Sequence, residues 1–439
     1  MQYIRKIMQH EEYDVLVIGG GPAGVCAAVS SARCGANTLL VERFGVLGGM
    51  LTAGRVDPIL GSVSSGTMYD EIVELLSAKH PDSEPHVTRN GREVQVDPEE
   101  AKTILMNLVH DSGAKLYLQT SVIDVIKEGN TVVGAVLTTP TGLMMVKAQC
   151  VIDATGDGYA AMMAGAEYKV GRESDGHCQP TTIEFVVDNV DETRAITCWG
   201  GTDPVTLPSG VKYSDFCKEA NKRGELPENV SIVRLHRTHY SGERSVNATQ
   251  SNGHDILSLK GITAAMHDLR NQVDVVVEFL KKNVPGFENC RVKASADALG
   301  VRETRRIMGQ YVLQDADVEN GARFEDVLVH KAWFLIDIHN PTGGGQAEKR
   351  SQPAIPYDIP YRCFVPLGVE NLLVAGRCIS GTHRAHASYR VMAICMAMGE
   401  AVGIAAALSA KKSTAPRNID ANTIQQVLVE RGVILFDEA

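Results

Sequence analysis

The chain has 439 residues, 44% of them hydrophobic and 22% charged, the proportions of a globular protein long enough for two or three domains. Lysine and arginine number 43 against 53 acidic residues, a net charge of −10 with no long basic run, which argues against nucleic-acid or anionic-membrane binding. The composition also excludes a disordered chain, a fibre and a coiled coil.

The opening stretch MQYIRKIMQHEEYD lacks the apolar run of a signal peptide. Residues 391–408 form the longest apolar run, but Glu400 interrupts it. A carboxylate in mid-span is costly, so a buried helix is expected and no membrane span. The ten cysteines show no CxxC spacing and read as small core residues of a reducing, cytoplasmic setting. No metal site is expected.

Residues 13–18 (YDVLVI) read as a buried strand that ends in Gly19-Gly20-Gly21-Pro22-Ala23-Gly24. Residues 25–34 read as a helix of small residues and 38–41 as a second strand, with Glu42 at its end. This is strand–helix–strand with GxGxxG at the first turn. Gly19 suits the tight turn, Gly21 lets the backbone approach a pyrophosphate, and Gly24 lets the helix lie close to the strand. The helix N-terminus then faces phosphates, and Glu42 accepts hydrogen bonds from a ribose diol. Arg43 opens a second glycine-rich loop. Its Gly48 and Gly49, followed by Met50, suit a backbone that reaches around an isoalloxazine ring.

Residues 67–79 and 98–111 are predicted as amphipathic helices and 115–118 as a strand. Segments 122–127, 132–138 and 143–146 are predicted as a three-stranded meander, with turns at Gly129-Asn130 and Thr141-Gly142. Residues 149–153 return to the sheet as a further strand and end in Ala154-Thr155-Gly156-Asp157-Gly158. From 165 to 361 the pattern changes: strands are predicted at 181–187, 231–235, 291–298 and 333–339, and a long helix at 257–282. The pattern then reverts. Residues 371–375 form a strand ending in Gly376-Arg377, 378–385 a loop, and 388–409 a long helix. The helix's first turn holds Arg390, Val391 and Met392, and its dipole would stabilise negative charge on a reduced flavin.

The stretches YDVLVIGGGPAG, VLGGMLTAG, VIDATGDG, GVRETRRIMG, DIHNPTG, YDIPYRCFVP and NLLVAGRCISGTHRAHASYRVMAICMAMGEAVG run from residue 13 to 403. Together they resemble the FAD-dependent oxidoreductases of the glutathione-reductase-like superfamily, in the branch without a separate NAD domain. The resemblance implies an α/β fold. A Rossmann-like FAD-binding domain, a parallel sheet with a three-stranded β-meander (residues 1–164 and 362–439), is interrupted by a mixed α+β substrate domain (165–361). It implies FAD at Gly19, Gly21, Pro22, Ala23, Gly24, Glu42 and Arg43. Further contacts are implied at Gly48, Gly49, Met50, Val122, Ala154, Thr155, Gly156 and Asp157, and at Gly376, Arg377, Val391 and Met392. Val46 and Leu47 stand where succinate dehydrogenases carry a flavin-linking histidine, so the FAD is expected to be non-covalent.

The function expected is hydride transfer between flavin N5 and a small polar metabolite. The other reading is an electron-transfer subunit that serves a redox partner protein; a homo-oligomer stays open. Hydride transfer needs a base and a cation beside the donor carbon. The candidates are His339, His383, His386, Arg390 and Tyr361, the last beside Arg362. Arg302, Arg305 and Arg306 flank Glu303 and read either as an ion-pair network or as a carboxylate site. His177-Cys178 could face substrate from the middle block.

Overall fold

The computed structural model describes residues 7, 9–80, 94–201, 203–345, 347 and 354–437. Residues 1–6 and 8 of the stretch read for a signal peptide lie outside this set. The first strand, Gln9–Ile18, enters a seven-stranded sheet between Thr38–Val41 and Gly142–Asp153, parallel to both. Lys115–Tyr117 extends the sheet on one side, also in parallel, and Leu372–Val374 joins Gly142–Asp153 in parallel.

Gly142–Asp153 is one continuous strand rather than the two segments expected. Its first half pairs antiparallel with Thr131–Thr139, which in turn pairs with Val122–Glu128, and this completes the meander. Its last three residues pair with Leu372–Val374 along the same edge. The burial explains the misreading. Exposed Lys147 and Gln149 give way to the fully buried run from Cys150 to Asp153, so the pattern shifts in mid-strand from half-buried to buried on both faces.

The register aligns the carboxyl ends. Ile18 pairs with Val41 and with Asp153, and Asp153 pairs with Val374. Gly19, Glu42, Ala154 and Ala375 therefore follow their strands in one row. The opening helix, Pro22–Arg33, starts from an extended Gly21 with proline in its first turn, where no N–H is needed.

The C-terminal apolar stretch differs from expectation. It is two helices, His383–Tyr389 and Met392–Lys411, not one that starts at 388. Thr382 caps the first by accepting from the Ala385 amide at 3.1 Å, so residues 383–385 are helical and not loop. Arg390 ends that helix, and Val391 is extended (φ −77°, ψ 157°) before Met392 begins the next. Arg390 and Val391 thus precede the long helix instead of sitting in its first turn. Arg390 pairs there with Asp337, whose Oδ2 accepts from its Nη2 at 3.0 Å.

Met392–Lys411 is the one helix among the described residues long and apolar enough to cross a membrane, and it is almost wholly buried inside the protein. It lies against the opening helix at backbone distance. A Cβ on Gly399 would stand 2.0 Å from the Ala23 carbonyl oxygen, and one on Gly403 2.3 Å from that of Ala27. Ser30 Oγ donates to the Glu400 carbonyl at 2.9 Å, and the Glu400 side chain accepts from the Met68 amide at 2.8 Å.

A second core lies between Ile183 and Ala296. Its antiparallel sheet runs in the order Arg234–Arg237, Arg244–Asn247, Phe185–Asp188, Arg291–Ser295. One face is covered by Tyr213–Lys222 and Leu259–Asn283, the latter through Ala265, Leu269, Val273, Val276 and Leu280 at helical spacing. The strand expected at 333–339 is absent. The ladder runs over Val327–Ala332, paired with Tyr357–Pro360, and Trp333 keeps a single bridge to Ser62.

Two outcomes follow from the long helix. Gly399→Ala gains helix propensity of about 1 kcal/mol but forces two backbones apart, so we expect a net loss of about 1–3 kcal/mol in unfolding free energy, read from urea titration. Burial raises the Glu400 carboxyl to about 7 from its ordinary 4.5, against the opposing pull of the Met68 amide. Between those values the folded protein holds a proton that the unfolded chain has released, so stability falls as pH rises, by about 3 kcal/mol over the window. Glu400→Gln should flatten that decline in unfolding curves recorded from pH 4 to 8 (~4 to ~8).

Candidate functional site: a groove at the strand ends

The row of strand ends opens into a groove of about 520 Å³. Gly19 sits at φ +100°, and a Cβ there would lie 2.7 Å from the Ala154 carbonyl oxygen. Gly24 is tighter, since its Cβ would overlap the Gly19 carbonyl at 1.7 Å. Gly21 is the opposite case: its φ is −70° and a Cβ would meet nothing within 4 Å. Two of the three glycines are therefore demanded by the fold, and the third faces open space in the groove wall.

Glu42 is buried, and its carboxylate is fixed by backbone. Oε2 accepts from the Gly20 amide at 2.6 Å and Oε1 from the Phe44 amide at 2.7 Å. Each oxygen keeps a lone pair for a further donor. Gly48 lies behind the wall at φ +100°, its amide bonded to the Gly20 carbonyl at 2.8 Å, which ties the second glycine loop to the first.

Most residues expected around a dinucleotide line this groove. Gly19, Gly21, Pro22 and Ala23 come from the first turn, and Glu42 and Arg43 from the second strand end. Gly49, Met50 and Val122 join them. Ala154, Thr155, Gly156 and Asp157 form the third strand end, and Gly376, Arg377 and Met392 the fourth. Gly24, Gly48 and Val391 do not line it; Val391 packs instead over Gly61.

The sequence reading did not place two sets of residues in this wall, although it named Arg305 beside Glu303 as part of an ion-pair network or a carboxylate site. Thr304 and Arg305 reach across from the middle block: Thr304 Oγ1 donates to Asp157 Oδ1 at 2.9 Å, and Arg305 Nη1 to the Asp157 carbonyl at 3.2 Å. Arg377 Nη2 donates to the same Asp157 carboxylate at 3.1 Å. Arg305 Nε and Arg377 Nη1 are buried without hydrogen-bond partners among the described residues, two cationic donors in one wall. The other set is Ile256, Leu257, Leu259 and Ile262 at the start of the long middle helix, with Leu259 85% exposed. Apolar side chains on the otherwise polar first turn of that helix were the available signal.

The five catalytic candidates separate. Arg390 lines the groove and pairs with Asp337, which in turn contacts His339 Nε2 at 3.2 Å. Burial, aided by the Arg302 charge, lowers His339 to about 4, although Asp337 opposes the shift. Burial pushes Asp337 up, but His339 and Arg390 outweigh it and hold the carboxyl well below its usual range.

His383 does not line the groove. Its Nδ1 lies 2.9 Å from Glu303, a fully buried carboxylate that also holds Arg306 and accepts from the Gln179 amide. Of the three arginines around Glu303, Arg306 is spent on that network, Arg302 donates to the Pro180 carbonyl, and Arg305 reaches the groove. His386 is buried edge-on to Tyr389, and burial depresses its pKa well below that of an ordinary imidazole. Tyr361 is set in the core with its hydroxyl donated to the Pro416 carbonyl at 2.7 Å, so it has no part in the groove. His177 pairs with Asp175 on an exposed loop.

Known proteins place these features in context. The chain is 31% identical over 205 residues to a digeranylgeranylglycerophospholipid reductase of Picrophilus torridus, covering 42% of this chain and 49% of that protein. The match thus spans about half the length of that reductase. A thiamine thiazole synthase of Methanothermobacter thermautotrophicus is 30% identical over 194 residues, 40% of this chain and 69% of its own. A flavin-dependent brominase shares the fold, with a TM-score of 0.50 and 14% identity over 96% of this chain and 83% of that one. The sequence model of the FAD dependent oxidoreductase family matches residues 14–428, and the chain belongs to that family.

Proposed function

We propose that this FAD-dependent oxidoreductase transfers hydride between flavin N5 and a small polar metabolite, with the cofactor in the groove at the strand ends. The observation that carries the reading is the pairing of two features in one groove. A dinucleotide cradle at Gly19–Gly24 and Glu42 shares its wall with Arg390, which leads to the buried pair Asp337 and His339. Bound FAD supplies the two-electron chemistry that no side chain can.

The donor set suits the cofactor. The turn and the first amides of the opening helix would hold the diphosphate, helped by Arg305 Nε and Arg377 Nη1. Glu42, held by two amides, would take a ribose diol, and Gly49, Met50 and the start of Met392–Lys411 would face the ring. In this reading residues 1–164 and 362–439 serve the cofactor, and 165–361 bring the substrate to it. His339 is the proton acceptor, oriented by Asp337 in the way that a buried carboxylate fixes an imidazole. Arg390 keeps Asp337 ionised. Of the two relatives, the name of one speaks of reduction, and the compound in that name is a phospholipid rather than a small polar metabolite.

Three measurements test this. The purified protein should be yellow and release FAD on denaturation; a colourless protein that takes up no FAD would sink the reading. Gly21→Val should leave the thermal midpoint unchanged, because its Cβ meets only open space, yet abolish FAD uptake. His339→Asn should retain FAD and lower turnover by about 10²–10⁴-fold against whichever metabolite bleaches the flavin anaerobically.

A further inference from the structure

The second sheet buries one face in its own core, and the other face is polar. Glu184, Arg234, His236, Ser245 and Asn247 alternate with the core residues Phe185, Leu235 and Val246 and so share this outer face. Arg234 stands opposite Asn247 in register, and Asn247 Nδ2 donates to Glu184 Oε1 at 2.9 Å.

Three properties of this face are unusual. Arg234 carries no salt bridge among the described residues, although its charge acts on Glu184, His236, Arg302, Asp337 and His339. His236, buried and stacked on Trp199 with ring centroids 4.4 Å apart, has no hydrogen-bond partner at either ring nitrogen among the described residues. Glu184 is 3% exposed, and its Oε2 is likewise without a partner. The same holds of Ser245 Oγ; buried polar atoms are nearly always hydrogen-bonded, and four on one face point to a ligand that completes them.

The charge balance selects the ligand. Burial and the neighbouring Asp57 push the Glu184 carboxyl well up. Burial and Arg234 hold His236 near 3, so it is neutral. Arg302 is lowered to about 9 by burial and by the like charge of Arg390. Asp337 is already engaged by Arg390 and His339. Arg234 is the cation of this face that carries no salt bridge among the described residues, standing opposite Asn247. The Arg234 charge also acts on Asp337, the partner of Arg390 in the groove wall.

We propose that this face is the substrate-recognition surface and that it takes a small hydroxycarboxylate, its carboxylate on Arg234 and its hydroxyl toward Glu184 and His236. The assignment rests on the reading of the groove as the FAD site, which sets the reacting end beside Arg390. A guanidinium suits a carboxylate through paired N–H donors. The acid group of Glu184 and the neutral imidazole supply both a donor and an acceptor for a hydroxyl.

Trp199 gives a direct readout, because it stacks on His236 and the chain has only two tryptophans. In a Trp333→Phe background the holoenzyme is titrated with glycolate, L-lactate and L-malate, and in parallel with glycolamide and lactamide, which lack the charge. At least one acid should change Trp199 fluorescence saturably while the amides do not. Arg234→Gln should weaken that binding by about 10–100-fold and Arg234→Lys by less, with FAD content and thermal midpoint unchanged. If no acid binds, if acids and amides act alike, or if Arg234→Gln binds as the parent does, the proposal is overturned. FAD content is measured on the same samples. A protein without flavin would defeat the cofactor reading, while the Trp199 titration would still decide for or against the anion site.

Discussion

The architecture depends on two helix backbones that touch. The opening helix and the long C-terminal helix meet where Gly399 lies on the Ala23 carbonyl and Gly403 on that of Ala27. No side chain fits between them. That contact draws Leu372–Val374 and the start of Met392–Lys411 to the same end of the sheet as Gly19 and Glu42. A longer separation would move Gly376, Arg377 and Met392 out of the groove wall. The small residues of the opening helix (Ala23, Ala27, Ser30) are thus chosen by their distance from a segment some 370 positions away.

Buried charge does three different jobs in this protein, and the partners distinguish them. Glu303 is fully buried and ringed by Arg306, His383 and the Gln179 amide, so its lone pairs are spent and it ties segments together. Losing one member of such a cluster costs about 3–5 kcal/mol, because the rest stay buried and uncompensated. Asp337 is divided between Arg390 at the groove and His339 behind it, which fixes an imidazole without consuming it. Arg234 has no salt-bridge partner among the described residues. The exposed pairs, such as Arg33 with Glu71, are worth at most about 1 kcal/mol each and decide nothing about the site.

What the sequence made legible was local. The first strand, turn, helix and Glu42 are contiguous, and their chemistry is set by neighbours in the chain, so both the elements and the groove residues there were readable. The errors fall where distant contacts decide. Gly142–Asp153 read as two segments because its burial changes in mid-strand when Leu372–Val374 arrives beside it. The helix break after Arg390 has no glycine or proline to announce it, and Arg390 pairs there with a carboxylate 53 positions upstream. Tyr361 and His383 sit in stretches shared with the family, yet their side chains serve the core and the Glu303 cluster. A motif marks a segment, and the direction of each side chain within it is a tertiary fact. The wall residues Ile256 to Ile262 come from a helix whose sequence pattern reports only its packing onto the second sheet.

The seam between the two cores is polar where it borders the groove. The Asp297 and Ala298 amides both donate to the Ala53 carbonyl, at 3.0 and 3.1 Å, and Thr304 and Arg305 donate to Asp157. Each such bond contributes about 0.5–1.5 kcal/mol, whereas each core is held by dozens of buried apolar side chains at about 1.5–3 kcal/mol apiece. The two halves are therefore stiffer within themselves than across their junction, and local opening there costs less than unfolding either one. The groove runs along that junction. Thr304 and Arg305, which line it, hold Asp157 from the middle block, while Arg377 holds the same carboxylate from within the first half, so a ligand with its own negative charge competes with Asp157 for these cationic donors.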